Sequence, residues 1–392
     1  MEYFKFQDKD LSRLGFGAMR FPTTEPGGRI DQEETERLVE YAYKNGVNYF
    51  DTAYMYHAGH SEAALGKALS KFPRDTWYLA DKMPGNFVEV VDGKLVIDLG
   101  PGTEKVVYNT PAEIFEKQLE RCGVDYFDFY LIHNVAENTY DLYMDEEIGF
   151  ISYAIEQKKA GRIKHLGFST HARYETLEKF LGEYDCFEFV QVQVNYLDWS
   201  LQDGLKKYEL LTKHNLPVIA MEPVRGGKLA NPGEKPVEIL KAARPNDSIA
   251  SWAFKFLIDQ PNIAVILSGM TTMEQVVENI ETFGKDDPLT EKDLSAIKQA
   301  VDAMADFVPC TACQYCTTTC PMSLDIPLLI NTYNELAFEK TWVVDGTLRD
   351  LADDEKPGAC ISCGACVPHC PQNIDIPDVL KKFDEKINEL KG

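Results

Sequence analysis

The sequence predicts an α/β protein, a (β/α)8 TIM barrel followed by a small, mainly α-helical, cysteine-rich domain. Between residues 11 and 283, eight short apolar runs alternate with longer segments of helical period. No G-x-G-x-x-G follows the first run, which argues against a doubly wound open sheet. Eight of the ten cysteines fall in two equally spaced groups beyond residue 307.

The apolar runs are LGFGAM (14–19), VNYFDTA (47–53), WYLADKM (77–83), DFYLIHN (128–134), IKHLGFST (163–170), FVQVQVNY (189–196), PVIAMEPV (217–224) and IAVILSGM (263–270). Between them, segments such as EETERLVEYAYKNG and PAEIFEKQLERCG place apolar residues three or four apart, as helices covering a central sheet do. Eight strand–helix units over about 270 residues fit a closed barrel. One stretch breaks the alternation: FVEVVDGKLVIDLG reads as two short strands around an Asp92-Gly93 turn. Placed after the third strand, it would form either a wall of the active-site face or a surface decoration. A helix over PLTEKDLSAIKQAVDAMADF, with a Thr290–Asp293 capping pattern, leads out of the barrel. The expected domains are therefore 1–306 for the barrel and 307–392 for the cysteine domain. Within the latter, IPLLINTYNELAFEKTWVVDG and IPDVLKKFDEKINELKG read as helices.

There are 63 acidic and 40 basic side chains, a net charge of −23. Such a field repels nucleic acid and anionic membranes, so neither is an expected partner. No stretch reaches the roughly 20 apolar residues of a membrane span. The start, MEYFKFQDKDLSRLG, lacks the basic and apolar regions of a secretion signal, so a cytoplasmic protein is expected. In a reducing compartment, clustered cysteines read as metal ligands rather than disulfides.

Cys310, Cys313, Cys316 and Cys320 give C-x2-C-x2-C-x3-C-P, and Cys360, Cys363, Cys366 and Cys370 repeat it. An Asp-Ile-Pro follows each group, at 325–327 and 375–377. This is the spacing of bacterial two-cluster ferredoxins, in which the fourth cysteine of each run ligates the other cluster. On that pattern Cys310, Cys313, Cys316 and Cys370 hold one [4Fe-4S] cluster. Cys360, Cys363, Cys366 and Cys320 hold the second. Structural zinc, which takes four ligands per ion from paired knuckles, fits the spacing less well. The helical stretch between the groups resembles the helical ferredoxin domains of respiratory reductase subunits.

In barrels, chemistry gathers where the strands end. Asp51, with Tyr56 five residues on, follows the second run; Lys82 closes the third and His133 the fourth. Each alone has an ordinary structural explanation, but together they form a constellation. With the following Ser61-Glu62, the Lys82-Met83-Pro84 sequence and GRIKHLGFST (161–170), they resemble the aldo-keto reductase family. The resemblance implies a nicotinamide-dependent oxidoreductase that interconverts carbonyls and alcohols, binding NADP or NAD without a Rossmann motif. Tyr56 would be the general acid/base, Lys82 would lower its pKa from roughly 10, Asp51 would hold Lys82, and His133 would orient the carbonyl oxygen. Ser169, Thr170 and Gln191 match the positions that hold the carboxamide, with Gln193 competing for the last. Met221 stands where many members stack a tyrosine on the nicotinamide. Gly269, Thr271, Thr272, Gln275, Glu278 and Asn279 match the adenosine end. The lysine and arginine common there are missing, at Gly269 and Gln275, which leaves NADP against NAD open, with Arg225 a substitute cation. The YHAGHSE loop is longer than the family's usual form.

The expected partners are a small-molecule carbonyl or alcohol and a redox partner protein. The alternative is an electron-transfer protein whose barrel binds a flavin, nicotinamide or partner while the clusters do the redox work. A hydride carries two electrons and each cluster one, so direct coupling calls for a carrier such as flavin. The sequence carries no flavin motif.

Overall fold

The computed structural model describes residues 1–25, 28–99, 105–201, 203–304, 308, 310, 316–336, 341–370 and 374–391. The strands are β1 (Tyr3–Phe6), β2 (Lys9–Ser12), β3 (Leu14–Gly17), β4 (Tyr49–Asp51), β5 (Tyr78–Met83), β6 (Val88–Val91), β7 (Lys94–Ile97), β8 (Val106–Tyr108), β9 (Phe127–Ile132), β10 (Ile163–Thr170), β11 (Val190–Gln193), β12 (Val218–Met221) and β13 (Ile263–Ser268). Eight of them, β3, β4, β5 and β9 to β13, close into a parallel barrel in chain order, β13 pairing back onto β3. Each expected run supplies one. Every residue of β9 and β13 is buried, because parallel strands in this fold are covered on both faces.

The chain divides into two compact units. One comprises Met1–Asp198, Asp203–Ala230 and Asp247–Glu291; the other comprises Trp199–Gln202, Asn231–Asn246 and Lys292–Gly392. All eight barrel strands lie in the first. The antiparallel hairpin β1–β2 precedes them, and its Phe6 packs edge-on against Phe129, His165 and Phe189 inside the barrel.

The helices follow from local signals. Asp31 caps Gln32–Lys44 by accepting from the Glu34 amide at 3.0 Å. Helix Pro111–Cys122 begins on a proline and ends at left-handed Gly123, φ 66°. Helix Ser61–Leu69 runs so close to the end of that helix that a side chain at Gly66 would meet the Cys122 carbonyl oxygen at 2.2 Å. The excursion after β5 is a hairpin, β6 with β7, turning at Asp92 (φ 50°) and Gly93 (φ 72°). A third strand, β8, which the alternation pattern did not reveal, joins it.

In the second unit, helices Ile326–Leu336, Thr341–Asp350 and Ile376–Lys391 share one apolar core that includes Leu329, Leu380 and Phe383. The two Asp-Ile-Pro sequences are helix starts. Asp325 Oδ1 accepts from the Leu328 amide at 3.1 Å, and Asp375 Oδ1 from that of Asp378 at 3.4 Å. Ile326 and Ile376 are buried beside them. Among the described residues no helix is long and apolar enough to cross a membrane.

Candidate active site and metal centre

Parallel pairing of β3, β4, β5 and β9 aligns Gly17 with Asp51, Asp51 with Ala80, and Lys82 with Leu131. Strand alternation then separates the β5 side chains: Lys82 meets the residues of β4 and its loop, while Asp81 meets the surrounding helices. The buried Lys82 ammonium donates to Asp51 Oδ1 at 2.7 Å and to the Thr52 carbonyl at 2.6 Å, and reaches the Tyr56 hydroxyl at 3.4 Å. His133 lies one residue past β9, its amide donating to the Met83 carbonyl at 3.1 Å. Its ring stands edge-on to that of Tyr56, 6.5 Å between centroids. The fold thus brings Asp51, Tyr56, Lys82 and His133 together.

The electrostatics differ from the sequence expectation in one respect. Burial raises the Tyr56 phenol above its ordinary value; the Lys82 charge opposes this and does not reverse it. The Asp51 carboxylate beside the ammonium adds to the rise. Burial works to lower Lys82, but the charges of Asp51 and Tyr56 outweigh it and keep the amine cationic. His133 is held well below the usual histidine range by burial and then by Lys82, so its imidazole is neutral.

Buried polar groups from the neighbouring helices fix Lys82 from behind. The Lys82 amide donates to Asp81 Oδ1 at 2.8 Å, and its carbonyl accepts from Gln118 Nε2 at 2.9 Å. Gln118 also donates to Glu62, which pairs with Arg121 at 2.9 Å. Burial, then the neighbouring Glu62 charge, hold the Asp81 carboxyl well above the carboxylate range.

The longer YHAGHSE loop is pinned by His57, whose Nε2 accepts from the Phe21 amide at 3.1 Å while its ring stacks on Phe21. His57 and Ala58 both have positive φ, 51° and 52°. So do Asn134, Glu222 and Arg225, at 56°, 52° and 49°, on loops after other barrel strands. Strained non-glycine backbone of this kind gathers at functional sites.

The residues matched to the nicotinamide divide by what they have left to offer. Ser169 Oγ accepts from the Asn134 amide at 2.8 Å and retains its own proton for donation. The Gln191 side-chain oxygen is buried without a partner among the described residues, and its amide nitrogen lies 3.8 Å from the Met221 sulfur. Thr170 is committed, donating to the Val135 carbonyl and accepting from the Ala172 amide. Gln193 is committed too, donating to Asp198 at 2.7 Å. Of the two glutamines, Gln191 keeps its side-chain oxygen without a partner among the described residues, while Gln193 is tied to Asp198. Arg225 pairs with Asp198 at 3.0 Å, and both side chains are essentially fully buried. At the adenosine end, Gln275 completes a capping box with Thr272, and Asn279 donates to Ser268 at 3.0 Å. Thr271 donates to the Arg20 carbonyl. Gly269 and Glu278 are exposed there.

In the second unit, Cys320, Cys360, Cys363 and Cys366 line one hollow that opens to solvent. Its remaining lining is apolar, including Leu324, Ile326, Ile376 and Leu380. Among the described residues no three His, Cys, Asp or Glu side chains converge closely enough for a single metal ion. Four thiols around an apolar hollow suit a cluster whose ligands stand apart at its corners, and the donor set is all sulfur, as iron–sulfur clusters take. Cys310, Cys316 and Cys370 pack with the adjoining core. Cys313 lies outside the described residues.

A closed parallel barrel with a lysine, tyrosine, carboxylate and histidine at its strand ends defines a class of oxidoreductase. Residues 13–302 match the model of the aldo/keto reductase family, and the chain belongs to that family. Residues 309–374 match the model of the 4Fe-4S dicluster domain. Among similar proteins, the NADH-specific methylglyoxal reductase of Escherichia coli (strain K12) is 25% identical over 329 residues, 76% of this chain and 97% of that protein. The holo form of aldo-keto reductase AKR11C1 from Bacillus halodurans superposes with a TM-score of 0.60 at 24% identity, covering 76% of this chain and 96% of that one. The aldo-keto reductase from Klebsiella pneumoniae in complex with NADPH gives 0.58 at 18% identity, over 76% of this chain and 94% of that one. These two likenesses bear on the fold.

Proposed function

We propose that the barrel reduces a small carbonyl compound, or oxidises the matching alcohol, with Tyr56 as the proton donor and acceptor. The Lys82–Asp51 pair beneath the Tyr56 hydroxyl is the observation that carries this reading. Bound NAD(P)H would supply the hydride. Tyr56, kept protonated by burial, gives its proton to the carbonyl oxygen as negative charge develops there. The Lys82 ammonium steadies the phenolate left behind, and Asp51 with the Thr52 carbonyl fixes that ammonium in place. His133, neutral, positions the same oxygen by hydrogen bonding rather than by charge. Ser169 and Gln191 would hold the carboxamide, and Met221 would lie against the ring.

The cysteine domain, which we place from about residue 307 onward within the second unit, would hold two [4Fe-4S] clusters for structure or electron exchange. Cys320, Cys360, Cys363 and Cys366 would bind one of them. Cys310, Cys313, Cys316 and Cys370 would bind the other.

Anaerobically purified protein tests the barrel assignment by carbonyl-dependent NAD(P)H oxidation. Tyr56→Phe should lower kcat on the order of 10²–10⁴-fold while iron content is unchanged. Full activity in that variant would remove Tyr56 from the mechanism.

A further inference from the structure

We propose that Asp81 and Glu62 form a carboxyl pair that shares one proton and that positions Lys82, from the far side of β5, for its work beneath Tyr56. The inference rests on the reductase reading of the barrel and deepens it. Strand alternation sends neighbouring side chains of β5 to opposite faces, so Asp81 and Lys82 serve two different layers. Lys82 enters the site, where its ammonium meets Asp51 and Tyr56. Asp81 enters the layer of helices, where its carboxyl and that of Glu62, from helix Ser61–Leu69, hydrogen-bond to each other. Both side chains are entirely buried.

Charge balance places the proton. Two ionised carboxylates offer only acceptors, so a hydrogen bond between carboxyls requires a proton on one of them. Along this strand three buried carboxyls, Asp51, Glu62 and Asp81, stand beside two cations. Lys82 is matched by Asp51 at 2.7 Å, and Arg121 by Glu62 at 2.9 Å. Asp81 is the carboxyl left over. Its other neighbours bring no charge: Oδ1 accepts from the Lys82 amide at 2.8 Å, and Oδ2 lies 3.7 Å from the Cys122 thiol. Tyr130, opposite it on β9, gives its hydroxyl proton to Gln118. An unpaired carboxylate is costly in so dry a place, and a proton removes that cost.

The pair reaches Lys82 through the backbone. The Asp81 carboxyl accepts from the Lys82 amide, and Gln118, which donates to Glu62 at 3.1 Å, donates also to the Lys82 carbonyl at 2.9 Å. Both polar backbone groups of Lys82 are thus held by one network. A shift of that backbone moves the ammonium beneath the Tyr56 hydroxyl, and small misplacements of this kind are expensive in rate. The proton matters as well. An ionised Asp81 would make the Tyr56 proton harder to release, and a neutral one does not.

Anaerobic, cluster-loaded protein tests this with Asp81→Asn, whose amide keeps a donor and an acceptor in place of the protonated acid, and with Asp81→Ala. The infrared difference between wild type and Asp81→Asn near neutral pH should contain the carbonyl band of a protonated carboxyl. A carboxylate band alone overturns the pair. With glyceraldehyde and benzaldehyde as probes, Asp81→Ala should lower kcat on the order of ten- to a hundredfold with dinucleotide affinity unchanged. Asp81→Asn should restore most of that loss. The alkaline limb of kcat/KM should stand at the same pH in Asp81→Asn as in wild type, because no charge has been removed. Equal losses in both variants, no loss in either, or a limb moved to lower pH in Asp81→Asn overturns the assignment. Should Asp81→Ala fail to fold, the infrared band and the limb of Asp81→Asn decide. Wild-type protein that oxidises NAD(P)H with neither probe overturns the reductase reading and the positioning role with it, whereas a missing band in active protein overturns the pair alone.

Discussion

In the barrel, Asp51 and Lys82 meet across 31 residues of sequence, and His133 arrives from a third strand. In the second unit, Cys360, Cys363 and Cys366 stand within a single turn-like stretch, and only Cys320 comes from afar to line the same cavity. The barrel site exists only once eight strands have closed in register. The cysteine site is written almost entirely in local spacing. The contrast extends to how polar groups are placed: the barrel sets them in buried pairs, whereas the thiols line an apolar hollow.

The comparison breaks first, and with the largest effect, in the cysteines. If Cys320 joins the cavity of Cys360, Cys363 and Cys366, then combining Cys320→Ala with Cys363→Ala should cost the iron of one cluster, about four of about eight atoms per chain. Combining Cys310→Ala with Cys363→Ala should cost both. Iron and sulfide analysis of anaerobic protein separates the two, and equal losses would mean that Cys320 serves the other site.

A smaller effect tests whether the barrel depends on its buried pairs. Asp198→Ala leaves Arg225 buried without its carboxylate, and such a break costs about 3–5 kcal/mol. The midpoint of urea unfolding should fall accordingly. A midpoint that does not move would show that Arg225 reaches solvent, as a ligand cation must.

The smallest expected effect is a flat line. Tyr56 is raised above roughly 10 and His133 lowered below roughly 6.5. The donor is therefore lost only as pH rises past the raised phenol value. The neutral imidazole is lost only as pH falls past the lowered histidine value. For carbonyl reduction, kcat/KM should stay level between those limits; a limb centred near neutrality would contradict the neutral His133.

Much of this was legible in advance, for identifiable reasons. The eight strands announced themselves because parallel strands covered on both faces must be continuously apolar, and the cysteine groups did so through their short, repeated spacing. The hairpin of β6 and β7 was visible through its Asp92-Gly93 turn, while β8, three residues long, carried too little pattern to see. Residues that act through partners were hidden. Gln193, the competing choice to Gln191, and Arg225 both turn out to be tied to Asp198, a partner that no spacing along the chain reveals.

The sequence by itself determined the barrel, the four polar groups at its strand ends and the paired cysteine motif, since each follows from periodicity or spacing along the chain. Only the tertiary structure decided which of those groups remain available. Hydrogen-bond capacity is spent on whatever the fold brings near, and that is how the Asp81 carboxyl came to meet that of Glu62, on a helix that precedes its strand.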